Sequence, residues 1–143
     1  MKIQLTPIKP NQIDNYVAVA HVFYVKQLMN TGWSEIAAWS TAKGEMNKDA
    51  RGAHILSIGS DTIEYGMVWI QTLGEANFIL WIRVNLEWRR QGVATAALKE
   101  ILELDKEHGR RTLLHVFEHN SAARRLYEKV GFVTTGRLMA RNV

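Results

Sequence analysis

The chain has no cysteine, which excludes a disulfide framework, a thiolate metal site and a cysteine nucleophile. It has no run near the ~18 consecutive apolar residues that a membrane-spanning helix needs. The opening MKIQLTPIKP is not built like a signal peptide. GxxxxGK[ST] and GxGxxG are both missing, so neither a nucleotide P-loop nor a dinucleotide fold is supported. These absences leave a soluble, cytoplasmic protein with no membrane partner as the expectation.

What is present is enough for a real core. A length of 143 residues with 47% hydrophobic content reads as one domain, residues 1–143, with one site. The net charge of +4 is uneven. Residues 1–79 hold six Lys/Arg against seven Asp/Glu and residues 80–143 hold twelve against seven, giving −1 and +5. A basic half suits nucleic acid, a membrane surface or a small polyphosphate. The arginines come in pairs (Arg89–Arg90, Arg110–Arg111, Arg124–Arg125) inside short periodic segments rather than as a continuous stripe, which argues against nucleic acid.

The pattern along the chain is α/β. Lys2 to Ile8 reads as a first strand ended by Pro10, and Asn11 as the N-cap of a helix over 12–30, with Asp14 in its first turn. Gly32 breaks that helix, and Ser34 caps a second one, the two covering a sheet face or forming a flap. From Ala53 the period becomes two. Residues 54–58, 63–71 and 78–85 read as an antiparallel meander with turns at Gly59-Ser60-Asp61 and near Gly74. An amphipathic helix over 93–108 with Gly109 as its left-handed cap leads to a strand at 112–117, a crossover that makes strands 78–85 and 112–117 parallel. Asn120 caps a last helix, Ser121 to Val130, ended by Gly131, and a final strand pair or bent strand occupies 132–143. The expected sheet is mixed.

Two stretches can carry chemistry. In RRQGVA, residues 89–94, a basic turn with one glycine sits between strand and helix. Free backbone N–H groups and the positive end of a helix dipole there suit an anion such as phosphate. Gly92 allows close approach to the main chain, and Arg89 and Arg90 add charge. A glycine there is equally ordinary punctuation. In HVFEHNSAARRLYEKVGF, residues 115–132, Asn120 can cap the helix or bond an amide-bearing ligand, and Ala122 and Ala123 keep its first turn slim. Tyr127 lies seven residues after Asn120, on about the same helix face. It is either a core aromatic or a general acid.

Together these residues resemble the GCN5-related N-acetyltransferases. Arg89-Arg90-Gln91-Gly92-Val93-Ala94 matches the first family signature. Asn120, Ala123, Leu126-Tyr127-Glu128-Lys129 and Gly131-Phe132 match the second. More narrowly the chain resembles small bacterial acetyltransferases of the YycN type. The resemblance covers the whole length. It implies a mixed sheet of six to seven strands with about four helices, and acetyl-CoA as acetyl donor in a V-shaped opening between strands 78–85 and 112–117. It further implies that Gly92 and the N–H groups of Gln91, Gly92, Val93, Ala94 and Thr95 hold the pyrophosphate with Arg89 and Arg90. Val84 would pair with pantetheine in the manner of an added strand, Asn120 and the slim turn at Ala123 would face the pantetheine arm, and Tyr127 would bind there and protonate the departing thiolate. A strand N–H near Ile82 to Val84 would stabilise the oxyanion.

The reaction that the resemblance implies, direct attack of a primary amine on the thioester, needs a proton acceptor. Many relatives carry an acid on the strand equivalent to 78–85, where this chain has Trp81 and Ile82. Glu64, Glu118, His54 and His115 are the candidates. A metal is not expected. Trp33, Trp39 and Trp69 line an acceptor pocket or fill a core. The expected partners are acetyl-CoA and an amine; the acceptor's identity and the oligomeric state stay open, a homodimer included. The rival readings are a non-catalytic acyl-CoA sensor on the same fold and a nucleic-acid module.

Overall fold

A computed structural model describes residues 2–141. Five strands form one sheet in sequential order: β1 Gln4–Pro7, β2 Ala53–Gly59, β3 Glu64–Leu73, β4 Ala76–Val84 and β5 Arg111–Leu114. The first four pair antiparallel, and β5 joins β4 parallel, as the crossover helix requires. Helices α1 Pro10–Asn30 and α2 Glu35–Glu45 cover one face of this sheet. Helices α3 Val93–Glu107 and α4 Ser121–Lys129 cover the other.

Local chemistry explains the ends. Ser34 accepts from the Ala37 N–H at 3.3 Å, and Asn120 accepts from the Ala123 N–H at 3.2 Å, each satisfying one orphan donor of its helix. Gly109 takes φ +67 after α3, the left-handed stop expected there. At α1 the cap differs from expectation. Lys9 is the N-cap and Pro10 opens the helix, because a proline's fixed φ and missing N–H cost nothing in a first turn. Asn11 is therefore inside the helix, and Asp14 lies beyond its first turn.

The α3 face buries Ile58, Val68, Ile70 and Ile79 against Val93, Ala97, Leu98 and Ile101, with Leu126, Tyr127 and Phe132 packed alongside. The opposite face packs Met67 and fully buried Trp69 against Ala20 and Met46. The alanines Ala38 and Ala42 let α2 close on Val25 and Leu28 of α1. A buried polar chain ties α3 to the sheet: Thr72 Oγ1 donates to Asn77 Oδ1, Asn77 Nδ2 to Asp105 Oδ1 and Thr112 Oγ1 to Asp105 Oδ2, each at 2.5 Å.

Two further expectations change. Strand β5 ends at Leu114 rather than at Phe117, because the next residues swing toward α1 and α2, where Phe117 packs. Residues 132–141 form no strand; the end of the expected final strand, 142–143, lies outside the described residues. The described sheet thus has five strands instead of six to seven, since residues 132–141 find no ladder partner among the described residues.

Candidate active site

The site begins with a register slip. Pairing between β3 and β4 shifts at Trp69/Ile70, so Leu80 has no partner residue. This is a β-bulge, with two residues facing one. It places Leu80 and Trp81 together on the α1 side while Ile79, Ile82 and Val84 face α3. The Asn85 N–H donates to the Tyr65 carbonyl at 2.7 Å, which fixes the alternation of the ladder. Val84 opposite Gly66 and Ile82 opposite Val68 are the non-bonded pairs, so both turn their N–H and C=O groups away from β3. On that outer side β5 reaches only Ile79, paired with Leu114. Among the described residues the edge of β4 is open from Leu80 to Val84, forming a cleft where the two parallel strands part.

Gly66 keeps this segment in place. A Cβ there would sit 2.0 Å from the Arg83 carbonyl oxygen, so only glycine lets β3 lie this close to β4.

Below the open edge lies a pocket of ≈ 350 Å³ lined by Val84, Trp88, Arg89, Arg90, Gly92, Val93, Ala94, Thr95 and Leu126. Its floor is backbone. The N–H groups from Arg90 to Thr95 donate to no acceptor among the described residues; the first helical bond at this end runs from the Ala96 N–H to the Gly92 carbonyl. Six consecutive free donors at the start of a 15-residue helix make a strong anion site. Gly92 has φ +82, and a Cβ on it would meet no atom within 4 Å; the glycine is required by its backbone conformation and leaves the approach clear. Arg90 also takes a left-handed φ of +63, a strained conformation for a residue with a side chain.

Seven of the residues expected from the sequence therefore meet in one pocket: Val84, Arg89, Arg90, Gly92, Val93, Ala94 and Thr95. Gln91, Asn120, Ala123 and Tyr127 are not among its lining residues. The Gln91 side chain turns away and donates to the Glu87 carbonyl at 3.0 Å, leaving its backbone N–H to the pocket. Asn120 spends Oδ1 on capping α4, through the Ala123 N–H. Tyr127 packs against Phe132, with ring centroids 5.9 Å apart, and burial raises its hydroxyl pKa above the ordinary phenol value, so it stays a proton donor across the neutral range. Arg89 differs from a pure anion ligand: its Nε donates to the Val84 carbonyl at 2.9 Å. Val84 consequently keeps only its N–H for a ligand, whereas Ile82 keeps both groups.

Trp88 was not singled out from the sequence, and Leu126 was named there only within the second family signature, not as a site residue. Trp88 stands edge-on to Tyr65 at 5.0 Å, and its place directly before Arg89 was the only available signal. Of the tryptophans read as acceptor or core, Trp69 is core. Trp39 packs beside the α1–α2 cluster with Lys43 over its ring at 5.9 Å.

Comparison with known proteins gives the family and the fold. Residues 20–132 match the model of the acetyltransferase (GNAT) family, and the chain belongs to that family, whose acetyl donor is acetyl-CoA. It is 25% identical over full length to an uncharacterised N-acetyltransferase, YycN, of Bacillus subtilis. The crystal structure of that putative acetyltransferase superposes with a TM-score of 0.87 at 26% identity, covering 99% of each chain. The PaiA N-acetyltransferase of Thermoplasma acidophilum, solved with coenzyme A, shares the fold at a TM-score of 0.63 and 18% identity, over 93% of this chain and 91% of that one. An aminoglycoside acetyltransferase, AAC(6')-Iy, solved with a bisubstrate analogue, does so at 0.59 and 12%, over 100% and 99%.

Proposed function

We propose that residues 1–143 work as one N-acetyltransferase domain that moves the acetyl group of acetyl-CoA directly to a primary amine of a small molecule or peptide. The observation that carries this is the unbroken run of free N–H groups from Arg90 to Thr95 beside the open edge of β4. The donors present fit the ligand. The N–H run and the guanidinium of Arg90 suit a diphosphate, with the Nη groups of Arg89 adding to them; the Ile82 N–H and C=O and the Val84 N–H suit the amides of an extended arm. Asn120 keeps its Nδ2 for that arm, and Ala123 leaves room beside it.

When bound, acetyl-CoA supplies the thioester. The Ile82 N–H is then the donor available to the carbonyl oxygen that gains charge as the C–N bond forms. Tyr127, kept protonated by burial, gives its proton to the sulfur as the C–S bond breaks, and regains one from the nitrogen that has become an amide. Cysteine is absent from the chain, so no acetyl-thiol relay through the protein competes with direct attack.

A second reading, a non-catalytic acyl-CoA sensor, rests on Leu80, Trp81 and Ile82 offering no acid at the cleft. One experiment separates the two. Acetyl-CoA at ~100 times its dissociation constant should stabilise the protein by about 2.7 kcal/mol. Thiol release should follow on adding tryptamine, 1,4-diaminobutane, lysine amide or a tetrapeptide with a free α-amine. Stabilisation with no thiol release from any of them favours the sensor, and no stabilisation refutes both.

A further inference from the structure

Direct transfer needs a group to take the proton that an ammonium must lose before its nitrogen can attack. Resting on the acetyl-transfer reading, we propose that His115 is that proton acceptor. The N–H proton of the ammonium passes to a bare imidazole nitrogen of His115, directly or through one water, and the lone pair so freed attacks the thioester carbon. The imidazolium then returns its proton to solvent.

Register puts His115 at the fork. Ile79 pairs with Leu114 and nothing beyond does, so His115 is the first β5-side residue past the paired segment, facing the bulge at Leu80. Its ring lies on the α1 side. Thr112 bonds Asp105 of α3 and Leu114 packs in the α3 cluster, so strand alternation turns Leu113 and His115 to the other face. The Phe117 ring independently agrees: it packs with α1 and α2 and stands edge-on to His115 at 4.9 Å. His115 is exposed and makes no hydrogen bond with another described residue, so both ring nitrogens are free.

The other candidates are engaged or distant. Glu64 accepts the Tyr16 hydroxyl and lies beside Asn85, which bonds its carbonyl at 3.3 Å; Asn85 is three residues past Ile82, about 10 Å along the strand. His54, on β2, pairs with Ile70 of β3, so it lies two strands from β4, and it lines a separate pocket with Pro7 and Lys48. Glu118 is exposed and faces Arg124 at 3.9 Å. His119 is tied through Nε2 to Gln27 Oε1 at 2.5 Å and stacks on Phe117. The ionisable neighbours on this side are His119 and Glu118 of the same loop, Tyr24 of α1 through its contact with Phe117, and Glu45 of α2, which accepts the Tyr24 hydroxyl. From β4 the neighbour is uncharged Trp81.

The test compares wild type with His115→Gln, His119→Gln and His54→Gln, using whichever of the four amines above releases thiol fastest. Expected for His115→Gln is a loss of kcat/KM of about 100-fold at neutral pH, disappearance of the acid limb of the pH profile, and acetyl-CoA affinity within about twofold of wild type. Imidazole added to His115→Ala should restore part of the rate, and His54→Gln should stay near wild type. Turnover that survives His115→Gln, or an acid limb lost in His119→Gln instead, overturns the proposal and leaves acetyl transfer intact. Loss of acetyl-CoA affinity in step with rate also overturns it, by making His115 a binding residue. A wild-type protein that binds acetyl-CoA and acetylates none of the amines overturns it together with the transfer reading.

Discussion

Replacing Gly92 with alanine isolates the backbone as the binding element. At φ +82 a side chain costs about 1–2 kcal/mol relative to glycine, and no protein atom lies within 4 Å of the new methyl to add a clash. For a chain of this size that is a fall in Tm of about 3–6 °C. The methyl projects into space a ligand's phosphates must cross to reach the N–H groups of residues 90–95. Losing two hydrogen bonds to a charged group, at about 1.5–3 kcal/mol each, weakens binding by about 3–6 kcal/mol, or roughly 10²–10⁴-fold. Calorimetric titration with acetyl-CoA reads the affinity, and a melt without ligand reads the strain. Gly92→Val should bind still worse because a β-branched residue tolerates this φ less. Affinity within twofold of wild type, in an alanine variant destabilised only by the expected few degrees, would refute the backbone cradle.

Tyr127→Phe should lower turnover by about 10²-fold or more while acetyl-CoA affinity stays within a few fold; unchanged kcat with chemistry rate-limiting reduces the residue to packing. Asp105→Ala removes the acceptor shared by Asn77 and Thr112 and should cost about 2–4 kcal/mol in urea unfolding; a cost under about 1 kcal/mol would mean that the buried chain is not holding α3. The hydroxyl of Tyr16 is pushed up from 10.0 to about 12, by burial first and then by its bond to Glu64. Because the folded state holds this proton more tightly, its contribution is complete below pH 10 and is lost as pH rises toward 12. Alkaline melts should show that loss in wild type and a smaller one in Tyr16→Phe.

Much of the architecture could be read from periodicity and punctuation. Ser34, Gly109 and Asn120 act where residue chemistry places them, and the helical spacing of Val93, Ala97, Leu98 and Ile101 marks the buried face of α3. The expected strand is missing over residues 132–141 for a physical reason: a strand exists only with a partner, and alternation there cannot reveal that none is in reach among the described residues. The Val84 carbonyl was unreadable for a similar reason, since nothing local announces that Arg89 folds back onto it.

What the residues alone determined was the order of elements, the parallel crossover and the basic glycine turn, because propensity, capping and handedness act over a few neighbouring positions. Only the tertiary structure decided that Leu80 bulges, that Ile82 and Val84 face outward, and that β5 parts from β4 at His115. Those outcomes depend on which strand pairs with which, and in what register.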